Sequence, residues 1–168
     1  MSSIVSARAG RSAECVQDVA HKYFLAQKTF QTEMRDLMVA AWSDLQDLAN
    51  LNMNLQIAYG ELRKAKVTYL LAHEPDRIVT SAGLSKFSNF DWSEEDQSSF
   101  VQASKAHTQL TQKVETLKKA NNAHPDWEKM RANYRQPEMA NSPELKNLMV
   151  RFSAVVNKLG HLLGKCPK

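Results

Sequence analysis

The sequence predicts an all-α protein, an antiparallel bundle of about four long helices in one domain. Three observations carry this. Residues 11–73 contain no proline and a single glycine, Gly60. Within them apolar residues recur three or four apart, as in Val16, Val19, Tyr23 and then Phe30, Met34, Leu37, which is the buried face of a helix. Further on, Phe100, Ala103, His107, Leu110, Val114 and Leu117 alternate steps of three and four, as do Leu145, Leu148, Phe152, Val155, Leu159 and Leu162. Both series have heptad spacing.

The elements follow in order. Residues 1–10 are expected to form a flexible N-terminal tail. Ser12 would cap a first helix over about 12–42, with Glu14 in its first turn, where a negative charge suits the helix dipole. Ser43 followed by Gln46 has capping-box spacing, so a second helix is expected over about 44–73. The alternative is one unbroken helix, roughly 90 Å long at 1.5 Å per residue, and an elongated molecule. Residues 50–57 alternate polar and apolar, a strand pattern, but helical sequence flanks them and no turn residues bound them. They are read as helix.

Pro75 stops this region, because the residue before a proline is pushed out of helical geometry. Residues 76–90 would be a connector packed on the body through Ile78, Val79, Leu84, Phe87 and Phe90. Asp91 is the expected cap of a third helix, 92–121, and Asp126 that of a short helix, 127–135. Ser142-Pro143-Glu144 is the clearest start in the chain, with serine at the cap, proline at the first helical position and an acid next. It opens a helix over 143–163, so residues 11–164 form the helical domain and 165–168 a basic tail.

Composition narrows the function. A chain of 168 residues, 43% hydrophobic, can bury a real core. Cys15 and Cys166 lie near opposite ends, and two free thiols in a reducing, cytoplasmic setting are expected, with a bridge fastening the termini as the alternative. No apolar run approaches the roughly 20 residues needed to cross a bilayer, so the protein is expected to be soluble. Residues 1–13 are rich in Ser, Ala and Arg with no acid, which also suits an export or organelle-import signal.

Chemistry-bearing motifs are missing. No histidine has glutamate three residues before it, as a di-iron bundle would require. Two remote cysteines cannot supply a zinc site. Neither G-x-S-x-G nor a glycine-rich phosphate loop occurs. No catalytic residue, metal ligand or cofactor is therefore assigned, and the chain is read as a non-enzymatic interaction module: an adaptor, scaffold or structural subunit, with a bacterial secreted effector or secretion-system component as one version. Its partner would be a helical protein or a second copy of itself.

Candidate contact residues are Trp42, Trp92 and Trp127, all near helix boundaries, together with Tyr134. His107 on the third-helix seam could fix register. The alternative reading is nucleic-acid or anionic-membrane binding. The net charge of +4 arises after Leu84, from thirteen Lys/Arg against nine Asp/Glu. Lys118, Lys119, Lys129, Arg131, Arg135 and Lys146 would meet phosphates. The run Arg63-Lys64-Ala65-Lys66 is expected to be a solvated helix face.

Overall fold

A computed structural model describes the backbone of residues 2–79 and 83–167, and the side chains of that span from residue 13 onward. The described residues are all helical in their regular structure, with no strand. Seven α-helices follow in order: α1 (Ser2–Ala41), α2 (Gln46–His73), α3 (Glu94–Ala103), α4 (Lys105–Asn122), α5 (Trp127–Tyr134), α6 (Pro137–Ala140) and α7 (Pro143–Gly164).

The chain does turn back after Ala41. Trp42 leaves helical geometry at φ −141°, ψ 79°, and Ser43–Leu45 form one 3-10 turn before α2. The proposed capping box does not form, since no side chain caps this turn or α2. Burial decides the break. Leu45 is 1% exposed, in a core shared with Met38 and Leu48, and an unbroken helix would leave both apolar stripes in water. The polar–apolar alternation at 50–57 lies inside α2. There Asn50 Oδ1 accepts a 2.9 Å hydrogen bond from Arg35 Nη1 of α1.

Four expectations are corrected. α1 begins at Ser2, so the backbone of residues 2–10 is helical rather than a tail; no proline interrupts it. The third helix is two. Ser104 is extended at φ −159°, ψ 137°, and its hydroxyl caps α4 by accepting from Ala106 N. The carbonyls freed by the break are taken up by side chains seven residues on. His107 Nδ1 donates to Phe100 O at 2.8 Å, and Thr108 Oγ1 to Val101 O at 2.9 Å. The cap of α3 is Ser93, in a reciprocal capping box with Asp96, rather than Asp91.

The fourth correction concerns the cysteines. Cys15 and Cys166 are joined in a disulfide across a Cα–Cα distance of 5.6 Å. They are not free thiols: antiparallel packing of α7 along α1 brings the two together although 151 positions separate them. Phe30 on Phe152, at 4.7 Å between ring centroids, and Arg151 on Glu33, at 2.5 Å, mark the same antiparallel pairing.

The long helices pack in the order α4–α2–α1–α7. The extensive contacts include no α4–α7 pair, so the array stays open at that seam instead of closing on itself. Two cores lie at its opposite ends. One gathers Val16, Val19, Phe24, Val67, Leu70 and Phe87 with Leu159 of α7. The connector packs there, as its apolar residues predict, with Ile78 and Phe87 buried. Gly83 carries φ 70° in it, a backbone conformation that only glycine adopts freely. The other core gathers Met38, Leu45, Leu48, Met130 and Met139, closed by Trp42 and Trp127.

Candidate functional site

The residues singled out from sequence fall into two groups. Trp42, Trp127 and Tyr134 meet at the methionine-rich end. Trp42 and Tyr134 stack edge to face at 5.9 Å, and the Tyr134 hydroxyl donates to Met38 Sδ at 2.8 Å. Burial pushes the Tyr134 phenol above its ordinary pKa. The Trp127 indole N–H donates to Asn121 O at the end of α4, closing α5 onto it. These aromatics are lids on a core.

The cations expected to meet phosphates are partly occupied. Lys129 pairs with Asp44, and Arg131 pairs with Glu128 while lying 5.8 Å from the Trp127 ring centroid. Lys118, Lys119 and Arg135 are exposed and form no ion pair among the described residues.

Trp92 and His107 sit in an aromatic cluster at the other end. The His107 ring stacks on Phe100 at 4.0 Å with an interplanar angle of 6°. Its Nδ1 faces a carbonyl, which can only accept, so that nitrogen carries the proton. His107 therefore holds the α3–α4 break, and its ring also meets Tyr69 of α2 edge to face at 6.2 Å. Trp92 stacks edge to face on Phe100 and donates to Gln97 Oε1, while Lys66 Nζ lies 4.4 Å above its ring. The Lys66 ammonium is held below its usual pKa, first by burial and then by Arg63.

Nearby, Arg77 binds Asp96 through both Nη atoms, at 3.0 and 2.9 Å, and also donates to Glu74 and to Asp91 O. This fork ties the connector to the start of α3. Sequence reasoning did not single it out, because Asp91 and Asp96 lie 14 and 19 positions away.

A cleft that the sequence did not announce lies midway along the α1–α2 groove. It is open to solvent and has a volume of about 320 Å³, with Phe24, Phe30 and Ile57 in its lining and Phe152 of α7 at its side. His21 and Lys28 reach it from α1, Arg63 and Lys64 from α2. Half of the run expected to be a solvated face thus borders a cavity. Its signals were Gly60, the lone glycine of the region, and the Arg63-Lys64 pair.

No three His, Cys, Asp or Glu side chains among the described residues lie close enough to hold a metal ion. Asp18, three residues before His21, pairs with Lys22 instead, at 2.6 Å. No helix among the described residues is long and apolar enough to cross a membrane. Comparison with protein-family models, with curated proteins and with solved structures matches this chain to none of them.

Proposed function

We propose that this protein is a non-enzymatic helical interaction module that binds a helical protein segment along the free flanks of α7. The observation that supports the reading is the packing of α7. Its extensive contacts are with α1 and the connector, and it buries only Leu148 and Leu159 fully. Met149, Val150 and Val155 remain 49%, 67% and 44% exposed within seven positions. Val155 belongs to the heptad seam by spacing, yet it stays open where an added helix could cover it.

The Cys15–Cys166 bridge further supports work in an oxidising compartment, because cytosolic thiols are kept reduced. Delivery through the Ser/Ala/Arg-rich start, as for an exported effector, accords with the bridge.

A photo-crosslinking side chain placed at Val150 or Val155, in cells of the source organism, tests the reading. A discrete protein adduct is expected from these two positions and not from Glu115 on the outer side of α4. Adducts of equal yield from all three, or from none, would sink it. Light scattering on the purified chain separates a foreign partner from a second copy. Salt-sensitive retention on DNA or anionic vesicles, lost in a Lys118→Gln/Lys119→Gln variant, would replace this reading with the phosphate-binding one.

A further inference from the structure

We propose that the α1–α2 cleft is a binding site for a small amphiphilic carboxylate: an organic acid whose ring or short chain lies on the apolar lining while its charge meets Lys28 and Lys64. This goes beyond the interaction reading and stands on different residues.

The apolar part comes from three helices. Phe24 and Phe30 of α1, Ile57 of α2 and Phe152 of α7 all line the space, and Leu25 at its rim is 64% exposed. Gly60 keeps one wall low. A Cβ at that position would stand 3.9 Å from Phe24 Cδ1, in ordinary contact, so an alanine fits there and takes up part of the space.

The charge is unbalanced in one direction. Lys28 and Lys64 form no ion pair among the described residues, and Arg63 has only the Tyr59 ring beneath it, at 5.9 Å. The single acid of the lining, Glu61, is held by Lys113 of α4 at 3.1 Å. His21 is kept below its ordinary pKa, first by burial and then by the Lys64 charge, although Asp18 acts the other way. Cations left without counter-charge beside an apolar surface repel one another, and one anion between them relieves this.

The donors suit a carboxylate better than a phosphate. They are lysine point charges on the flanks of two helices whose backbone amides are already bonded within the helices. The lining offers no helix N-terminus and no chain of free amides to cradle three phosphate oxygens. The volume is at the small end of ligand sites, enough for one ring or a short alkyl chain.

The test titrates 4-phenylbutyrate and its uncharged amide, 4-phenylbutanamide, into the full-length oxidised protein, followed by two-dimensional amide NMR. The acid is expected to bind with a Kd of roughly 0.1–1 mM, with shifts centred on Phe30, Ile57 and Gly60. The amide is expected to bind about fivefold more weakly, a modest ratio set by exposed cations. Lys28→Gln/Lys64→Gln should bring the acid down to the level of the amide without lowering Tm. Gly60→Ala should weaken both compounds while holding or raising Tm, since alanine is the better helix former. Equal binding of acid and amide would overturn the proposal. So would shifts confined to the outer face of α7, or no saturable binding of the acid up to millimolar concentration.

Discussion

The two ends of the α1–α2 hairpin are closed in different ways. At one end a covalent bridge, the connector and an aromatic cluster surround a core of valines, leucines and phenylalanines. Arg77 adds a fork of hydrogen bonds there. At the other end three buried methionines, Met38, Met130 and Met139, pack beneath two tryptophans. The helices that cover them, α5 and α6, have eight and four residues. Branched and aromatic side chains hold a few rotamers and specify one packing. Methionine is flexible and fills irregular space. The contrast implies a fixed end and an adaptable end in one chain.

Removing the bridge gives the largest effect. Cys15→Ser/Cys166→Ser opens a loop of 151 positions, and the chain-entropy account puts the loss at about 5 kcal/mol. Thermal unfolding with and without reductant measures it. Amide hydrogen exchange then sharpens the contrast. Protection should fall first in the C-terminal turns of α7 and around Val16 and Val19, while amides near Leu48 keep theirs. A uniform loss across both ends would mean that the hairpin unfolds as one unit and that the ends are not separable.

How much of this could be read in advance depended on how local each signal is. The start of α7 was legible because Ser142, Pro143 and Glu144 act within one turn, and Ser142 Oγ does cap Leu145 N. The stop at Pro75 was equally local. The break at Ser104 was not legible. No proline or glycine marks it, the three–four spacing runs through it unchanged, and it is held by His107 and Thr108 reaching back seven residues. Ala103, a seam residue by spacing, is exposed there. The disulfide and the cleft are longer-range still, because each needs α7 laid along α1 before its parts meet. Lys28 and Lys64 look like any solvated cations until Phe152 arrives beside them.

The Arg77–Asp96 fork makes the fixed end sensitive to acid. Hydrogen bonds from Arg77, and then from the Ser93 amide, hold the Asp96 carboxyl well below the usual carboxylate range. A folded-state pKa below the unfolded one adds stability that is complete above the unfolded value of about 4 and is lost as pH falls toward strong acid. Tm should therefore drop between pH 5 and pH 2. In Asp96→Asn part of that slope should vanish, at a cost of about 1–2 kcal/mol at neutral pH, since the pair is partly solvated. If the slope is unchanged in the variant, other carboxylates govern the acid limb.

The smallest expected effect bears most directly on the adaptable end. Met130 and Phe87 are each 1% exposed, one in each core. Met130→Leu nearly conserves volume, and the surrounding methionines can re-pack, so the cost should be about 1 kcal/mol or less. Phe87→Ala, which leaves a void among branched and aromatic neighbours, should cost about 4 kcal/mol. The two are compared by chemical denaturation at constant m-value. A Met130→Leu cost near that of Phe87→Ala would mean that the methionine core is as closely specified as the aromatic one. The difference between the ends would then lie in the bridge and the Arg77 fork, not in the packing.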